Sequence, residues 1–304
     1  MSVAPPLSDA EVPAFWRALG LPGLVDIHTH FMPERVLAAV WRYFDDAPVP
    51  GGGGWPIHYR VDEAQRVARL RAMGVRAFTA LSYPHKPDMA EWLNGWGAAF
   101  ADGHPDCVAS ATFYPEPSAD RYVAEALDGG ARVFKAHLQV GAYDPRDPLL
   151  TPVWARLSDA GVAVVVHAGS GPQPGPFTGP GPFGEVLRRH PDLTAVIAHM
   201  GGGEYHEFLT LALRYPNVHL DTTMTFTDFM AKIHRYPADL LPVLAEHPDR
   251  VVLGTDFPNI PHPYAHQLEV LVGLGMSDDW LRAVCHDNGA RLLGVGPADV
   301  PSPA

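Results

Sequence analysis

Cysteine is scarce in this chain, which has only Cys107 and Cys285 in 304 residues. Two cysteines cannot build the disulfide network of a small secreted protein, and they fit a reducing cytosol. No stretch approaches the roughly 18 to 20 uninterrupted apolar residues of a membrane span. Residues 1–11 also lack the basic segment and apolar run of a signal peptide. These absences predict a cytoplasmic protein.

Basic residues are outnumbered by acidic ones. The chain has 22 Lys and Arg against 34 Asp and Glu, which gives a net charge of −12 at pH 7. This acidity argues against nucleic acid or an anionic membrane as the main partner. Apolar residues make up 47% and charged residues 18%, as is typical of a folded globular protein. The expected partner is therefore a small-molecule substrate.

Short apolar runs alternate along the chain with helix-patterned stretches. The predicted strands are residues 24–30, 76–83, 107–114, 131–138, 162–169, 193–200, 218–224 and 250–257. Several of these runs are apolar throughout, as expected for parallel strands that are covered on both faces. Eight β/α units in about 250 residues favour a closed (β/α)₈ barrel over a doubly wound open sheet.

The remaining segments frame the barrel. Residues 24–296 are predicted to form it, residues 1–23 to form an extension packed on its lower end, and residues 297–304 a flexible tail. Two excursions, 31–60 and 170–182, interrupt the alternation, and the second is so rich in proline and glycine that neither helix nor strand is expected. Each excursion is either a surface loop or a wall of the active site, since βα loops cover the catalytic face of a barrel.

Side chains that can bind a metal fall at the predicted strand ends. His28 and His30 close the first strand two residues apart, so both rings can point to the same side. His167, His199 and Asp256 end the fifth, sixth and eighth strands. Imidazole and carboxylate together suit a divalent ion such as Zn²⁺. Five such groups at matching strand ends predict a metal centre at the barrel mouth.

Five motifs in order resemble the amidohydrolase superfamily, and more narrowly its amidohydrolase-related branch, which includes aminocarboxymuconate semialdehyde decarboxylase. The motifs are VDIHTHF (25–31), VVVHAG (164–169), AVIAHMGG (195–202), LGTDFP (253–258) and NGARLLG (288–294). The resemblance implies that His28, His30, His167 and Asp256 hold one divalent ion, foremost Zn²⁺, with Mn²⁺ as an alternative. It also implies catalytic roles for Asp256, as a proton carrier, and for His199.

Three further residues are candidates for substrate contact. Lys135 lies where two-metal members of this superfamily carry a carbamylated lysine, in which case His167 and His199 would hold a second ion. Alternatively, Lys135 pairs with a substrate carboxylate. His137 points to the same side as Lys135, and His85 follows the second strand. Asp221, at the end of the seventh strand, either orients a ligand or pairs structurally.

The reaction is left open between two classes. One is hydrolysis of an amide, ester or lactone, and the other is decarboxylation of a small unsaturated or aromatic carboxylic acid; the same ligands serve both. A metal-independent lactonase and a non-catalytic binding barrel remain as alternatives. A possible homodimer is expected only by analogy. An aromatic-lined pocket is suggested by five loop residues, Trp41, Tyr43, Phe44, Trp55 and Phe177.

Overall fold

The computed structural model describes residues 3–49 and 54–296, so the predicted tail at 297–304 lies outside the described residues. All the strand pairs in this part of the chain are parallel, as expected for repeated β/α units. The strands are β1 (Leu24–Asp26), β2 (Val75–Thr79), β3 (Cys107–Val108), β4 (Ser110–Thr112), β5 (Val133–His137), β6 (Ala163–His167), β7 (Ala195–Ile197), β8 (Val218–Asp221) and β9 (Val251–Val252).

Helices follow most of the strands. The α-helices are α1 (Val12–Ala18), α2 (Glu34–Asp46), α3 (Glu63–Met73), α4 (Ala90–Gly103), α5 (Ala119–Asp128), α6 (Leu138–Gly141), α7 (Thr151–Ala160), α8 (Pro180–Arg189), α9 (Tyr205–Arg214), α10 (Asp228–Ala231), α11 (Leu241–Glu246), α12 (Tyr264–Gly273), α13 (Asp278–Arg282) and α14 (Asn288–Leu292). Short 3₁₀ turns cover Asp9–Glu11, Pro148–Leu150, Ala198–Met200, Ala238–Leu240 and Pro248–Arg250, and a π-helical turn covers Ala283–Asp287. No described helix is long and apolar enough to cross a membrane.

Backbone hydrogen bonds between the residues that directly follow β1 and β9 close the sheet into a barrel. Ile27 N donates to Leu253 O at 3.0 Å, and Asp256 N donates to His28 O at 2.8 Å. Strands β1 to β3 and β4 to β9 are each hydrogen-bonded in sequence order. The third predicted strand is split into β3 and β4, because the Ser110 hydroxyl accepts the bond from Ala80 N at 3.0 Å. The predicted (β/α)₈ barrel is confirmed.

Alternate residues of the strands pack on opposite sides of the sheet. In β6, Val164 and Val166 join the large cluster that includes the helices, whereas Ala163 and Val165 belong to a second cluster. The second cluster also takes residues such as Val25 and lies inside the barrel. Both faces of β6 are thus apolar, which explains why its sequence reads as one continuous apolar run.

The two excursions contain more helix than the sequence indicates. Residues 31–60 include the thirteen-residue helix α2, which was not predicted. Residues 170–182 are irregular only up to Gly179, because α8 begins at Pro180. The expectation of no helix is therefore wrong for the last three residues of the second excursion. Proline is accommodated there because the first turn of a helix has no intrahelical partner for its N–H.

The chain before β1 packs on the lower end of the barrel. Its helix α1 directs Trp16 toward the chain just before β2, where the indole Nε1 donates to Met73 O at 3.0 Å. Val12, Phe15 and Trp16 of α1 are buried in the main core. The opposite end of the barrel, where the strands finish, is left free for the loops that build the site.

Candidate metal centre and cavity

The polar side chains predicted for the site lie at the carboxyl ends of the strands. His28 and His30 follow β1, while Lys135 and His137 lie within the last three residues of β5. His167 is the last residue of β6, His199 lies in the 3₁₀ turn after β7, and Asp256 follows β9. The C-terminal end of the strands is the catalytic face of (β/α)₈ enzymes.

Three of the predicted metal ligands converge. One potential ligand atom each from His28, His30 and Asp256 lies within 4.8 Å of the other two, and all three side chains are buried. His30 Nε2 is 2.8 Å from Asp256 Oδ1, and His28 Nε2 is 3.5 Å from the same oxygen. Among the described residues, this trio is the one group of three or more His, Cys, Asp or Glu side chains whose ligand atoms lie close enough together to share a metal ion.

The two imidazoles of the trio are oriented through their other nitrogen. His28 Nδ1 lies 2.8 Å from Asp221 Oδ2 and 3.1 Å from Thr223 Oγ1. His30 Nδ1 lies 2.8 Å from the Leu81 carbonyl oxygen. Carboxylate and carbonyl oxygens only accept hydrogen bonds, so each Nδ1 carries the proton and each Nε2 is left with a lone pair. Metal-binding histidines are commonly held in this way.

The donor chemistry of the trio fits a divalent cation. With the proton on Nδ1, the His30 Nε2 lone pair faces an Asp256 oxygen at 2.8 Å, so two acceptors confront each other. A cation between them satisfies both atoms. Although burial opposes ionisation of Asp256, its close contact with His30 holds its pKa well below the ordinary carboxyl range. An ionised carboxylate is a suitable ligand for Zn²⁺ or Mn²⁺.

His167 lies outside the trio, although it was predicted as a ligand. Its Nε2 lies 2.9 Å from the Gly171 carbonyl oxygen, and its ring stacks on His137 with centroids 4.1 Å apart. The bond to Gly171 places the proton on Nε2 and leaves the Nδ1 lone pair available. His199 lies between the trio and the stacked His137–His167 pair, with its ring centroid 5.0 Å from that of His28 and 4.6 Å from that of His167.

The two predicted catalytic residues have unusual backbone conformations. His199 has φ of 112° and Asp256 has φ of 73°, and both are non-glycine residues in the left-handed region. Such conformations cost on the order of 1 to 3 kcal/mol and persist where surrounding contacts impose them. Here His199 O accepts from Thr225 Oγ1 at 3.0 Å, and Asp256 N donates to His28 O. The fold thus holds both side chains at the cavity floor.

Lys135 brings a buried positive charge to the trio. Its ammonium nitrogen lies 2.9 Å from His28 Nε2, and the residue is 1% exposed. Burial lowers the pKa of Lys135 to about 8, while Asp221 and Asp256 act in the opposite direction. Because Lys135 donates to the lone pair that a metal would use, the ammonium and an ion compete for His28 Nε2.

Four histidines of the site, His28, His137, His167 and His199, are kept neutral by burial. Desolvation lowers the pKa of His28, His137 and His199 well below the ordinary value, and it lowers that of His167 to about 4. The positive charge of Lys135 adds to this effect on His28, His137 and His167. Neutral imidazoles can bind a metal or accept a proton from substrate without first losing their own.

A cavity of about 900 Å³ opens above the trio. His28, His30, Lys135, His137, His167, His199 and Asp256 all line it, and His85 does so as an exposed residue. Its wall is largely apolar, and among the predicted aromatic residues it includes Tyr43, Phe44 and Trp55 but not Trp41 or Phe177. Trp41 instead donates its indole N–H to Asn259 Oδ1 at 3.0 Å. The cavity fits a small organic substrate with an apolar body.

Sequence reasoning left out two contributions to the site. The first is α2, whose residues Arg35, Val36, Ala39, Val40, Tyr43 and Phe44 form one wall of the cavity. Their spacing of three and four residues marks one helix face and was the available signal. The second is Asp26, which is fully buried and accepts bonds from His28 N, Thr255 Oγ1 and Tyr264 OH. A carboxylate within an apolar strand was the signal for it.

Solved structures share this fold. An uncharacterized TIM-barrel protein from Bordetella bronchiseptica has a TM-score of 0.70 and 21% identity, covering 90% of this chain and 98% of its own. A 5-carboxyvanillate decarboxylase from Novosphingobium aromaticivorans was solved in complex with manganese and 4-hydroxy-3-methoxy-5-nitrobenzoic acid. It has a TM-score of 0.63 and 13% identity, and the match covers 91% of this chain and 97% of the decarboxylase. A probable 2-pyrone-4,6-dicarboxylic acid hydrolase from Acinetobacter baumannii has a TM-score of 0.60 and 12% identity, and the match covers 90% of this chain and 99% of the hydrolase.

The chain also matches the model of a protein family. The model of the amidohydrolase family matches residues 25–295, which is nearly the whole described barrel. No curated protein matches the sequence. The match includes β2 to β9, all of β1 except Leu24, and every side chain of the trio. The chain belongs to the amidohydrolase family, as its motifs predict.

Proposed function

We propose that this amidohydrolase-family enzyme removes the carboxyl group of a small aromatic or unsaturated carboxylic acid with the help of a divalent metal. The observation that carries the proposal is the buried ammonium of Lys135 beside the ligand trio, at the floor of an apolar cavity. A carboxylate is attracted to this cation, whereas the apolar wall favours the neutral product. Loss of CO₂ removes the charge that the cavity solvates poorly.

His28, His30 and Asp256 would hold the ion, with His167 as the fourth predicted ligand. A divalent ion bound there supplies positive charge that orients the carboxylate and withdraws electrons from the reacting carbon. Both Zn²⁺ and Mn²⁺ suit nitrogen and oxygen ligands, and Zn²⁺ remains the first expectation. The manganese in the Novosphingobium decarboxylase supports testing Mn²⁺ beside it.

Decarboxylation requires one proton to reach the carbon that loses CO₂. Asp256 lies at the cavity floor with its carboxylate ionised, so it can take a proton from water or from a substrate hydroxyl and pass it to that carbon. His199, neutral and one strand away, can hold a substrate oxygen through its ring. Lys135 would pair with the carboxylate, and His137 and His85 would contact the rest of the substrate.

A hydrolase that opens a lactone, amide or ester is the second candidate. The same Asp256 can act as the base for an attacking water, and a probable pyrone hydrolase shares the fold. Lys135 occupies the lone pair of His28 Nε2, which also supports a variant of this reaction that works without metal. A non-catalytic binding barrel is disfavoured by the backbone conformations imposed on His199 and Asp256.

The homodimer and the cytoplasmic location that the sequence suggests stay expectations.

Isotope labelling separates the two reactions. The purified protein, loaded with Zn²⁺ or Mn²⁺, is incubated with hydroxybenzoates carrying ¹³C in the carboxyl group and, separately, with lactones in H₂¹⁸O. We expect release of ¹³CO₂ and a product that gains one hydrogen from solvent. Incorporation of ¹⁸O from water into a ring-opened acid, without CO₂ from any acid, would favour the hydrolase instead.

Two substitutions test the assigned roles in the same assay. Asp256→Asn is expected to keep much of the bound metal and to lower kcat by about 10² to 10⁴, because the proton carrier is lost. Asp239→Asn changes an exposed carboxylate that pairs with His206 and serves as the matched control, with activity unchanged. Full activity of Asp256→Asn would exclude Asp256 as the proton carrier.

A further inference from the structure

A second group of histidines lies outside the cavity, at the start of α12. His262 precedes this helix by two residues, and His266 follows four positions later in its first turn. His58, on the segment before α3, belongs to the same corner, since its N–H donates to Ile260 O at 2.8 Å. None of these three histidines lines the cavity. The proposed reaction does not use them.

The two rings at the start of α12 are arranged like the two histidines of the trio. The centroids of His262 and His266 are 5.0 Å apart, with 66° between the ring planes. The corresponding values for His28 and His30 are 5.0 Å and 71°. Two imidazoles that share one ion meet at an angle with their ring nitrogens directed to a common point. The second pair has the same ring separation as the first and nearly the same angle.

Both rings of the second pair are held through Nδ1. His262 Nδ1 lies 2.9 Å from the Pro263 carbonyl oxygen, and His266 Nδ1 lies 2.8 Å from Glu269 Oε2. These acceptors fix the proton on Nδ1, so each Nε2 has a free lone pair. A carbonyl and a carboxylate behind the imidazoles are the usual outer partners of metal-binding histidines.

His262 Nε2 is a buried acceptor without a hydrogen-bond partner. The residue is 9% exposed, and this nitrogen is one of the few buried side-chain polar atoms in the described chain that lack a partner. Buried polar atoms are nearly always satisfied, so an exception calls for an explanation such as a bound ion. Burial also lowers the pKa of His262 to about 4, which keeps the ring neutral.

We propose that His262 and His266 together bind a divalent transition-metal ion. The ligands are all imidazole nitrogens, which select Zn²⁺, Ni²⁺ or Cu²⁺ over Mg²⁺ and Ca²⁺. Asp9 and Glu269 add negative charge close to the pair. The ion would join the loop before α12 to the first turn of this helix, and the same loop carries Asn259 to the cavity.

Zinc stoichiometry tests this site independently of the reaction. The protein is stripped with a chelator and dialysed against Zn²⁺, and the ions per chain are then counted by elemental analysis. We expect wild type to bind about one more ion than His266→Gln, because the two-histidine site needs both rings. His206→Gln replaces an exposed histidine that pairs with a single carboxylate, and it should bind as much zinc as wild type.

The site formed by His28, His30 and Asp256 is unchanged in wild type and in both variants. Any zinc bound there therefore contributes equally to every count and drops out of the difference. Circular dichroism checks that His266→Gln is folded. If it is not, Glu269, whose carboxylate holds His266 Nδ1, is replaced by Gln, which should weaken zinc binding at the second site about tenfold or more. Excess Mg²⁺ should not displace the additional ion. Equal zinc counts in folded wild type and folded His266→Gln would overturn the proposal, even if the barrel site binds metal as expected.

Discussion

At the scale of single residues, the site depends on groups that never touch the cavity. Asp221 does not line it, yet its carboxylate holds His28 Nδ1 at 2.8 Å and so directs the Nε2 lone pair toward Asp256. Burial raises the pKa of Asp221, although His199 and Lys135 counteract this. Of the two roles left open by the sequence, the structure favours orientation of a ligand.

This role predicts a selective defect in Asp221→Asn. The amide keeps the shape of the side chain but removes the charge behind His28, so metal affinity should fall by about 10- to 100-fold. Zinc binding is measured by competition with a chromophoric chelator. A folded variant with the zinc affinity of wild type would show that Asp221 is only a packing partner.

At the scale of elements, the turn after β7 determines where His199 lies. His199, Met200 and Gly201 all have positive φ, and Gly201 at 73° adopts a conformation that glycine favours. A Cβ on Gly201 would lie 2.0 Å from Phe208 Cδ2 and 2.6 Å from Phe208 Cβ. The absence of a side chain therefore lets α9 pack directly on the turn.

Gly201→Ala should destabilise the protein by roughly 2 to 4 kcal/mol, since it combines positive φ with a steric clash. Urea unfolding measures the difference. Gly181→Ala is the matched control, because Gly181 lies in α8 with no atom near its added Cβ. The control should be neutral or slightly stabilising. Equal stability of the two variants would mean that α9 can shift away from the turn.

The sequence predicts most elements but not how they are interrupted. Each of the eight predicted runs overlaps a strand, because burial on both faces leaves a strong pattern. The break at Ala109 depends on the Ser110 hydroxyl replacing a backbone acceptor, a tertiary contact that no local pattern encodes. Helix α2 was missed because only Leu37 of its residues is buried, so its apolar face is directed at the cavity.

The same distinction applies to the site. Strand-end positions predict that His28, His30 and Asp256 meet, since every strand ends on one face of the barrel. They cannot predict that His167 turns toward Gly171 and stacks on His137, because this depends on the path of the following loop. The distance between Lys135 and His28 depends in the same way on side-chain conformations across the barrel.

At the scale of the whole molecule, buried neutral histidines should make stability depend on pH. His219 in β8 is 7% exposed, and burial lowers its pKa to about 4. The unfolded chain takes up this proton near pH 6.5, well before the folded protein does. The contribution to stability is therefore present above pH 6.5 and is lost as the pH falls toward 4.

Wild type should lose about 2 kcal/mol more stability than His219→Gln between pH 7 and pH 5, from this one difference in pKa. Urea unfolding at the two pH values gives the comparison. Other titrating groups also change stability over this pH range; one is Asp26, whose pKa is raised to about 7 by burial. These groups are present in both proteins, so their contributions cancel in the comparison. Parallel pH profiles for the two proteins would mean that His219 becomes charged without unfolding.

The trio also lies on the seam that closes the barrel. His28 and His30 follow β1 and Asp256 follows β9, and the backbone of the same residues crosses the seam, with His30 N donating to Phe257 O at 2.7 Å. The paired segments there are short, since β9 has two residues and β1 has three. An ion held by all three side chains would therefore fasten this short junction of the sheet.

Removal of metal should consequently loosen the seam more than the rest of the barrel. With zinc at 100 times its Kd, a chelator should speed hydrogen exchange of the Ile27, His30 and Asp256 amides by up to about 100-fold. The amides between β5 and β6, which share five paired positions, should change much less. Mass spectrometry of peptic peptides resolves the two regions. A uniform change would show that the ion stabilises the barrel only as a whole, and no change would show that the trio binds no ion in solution.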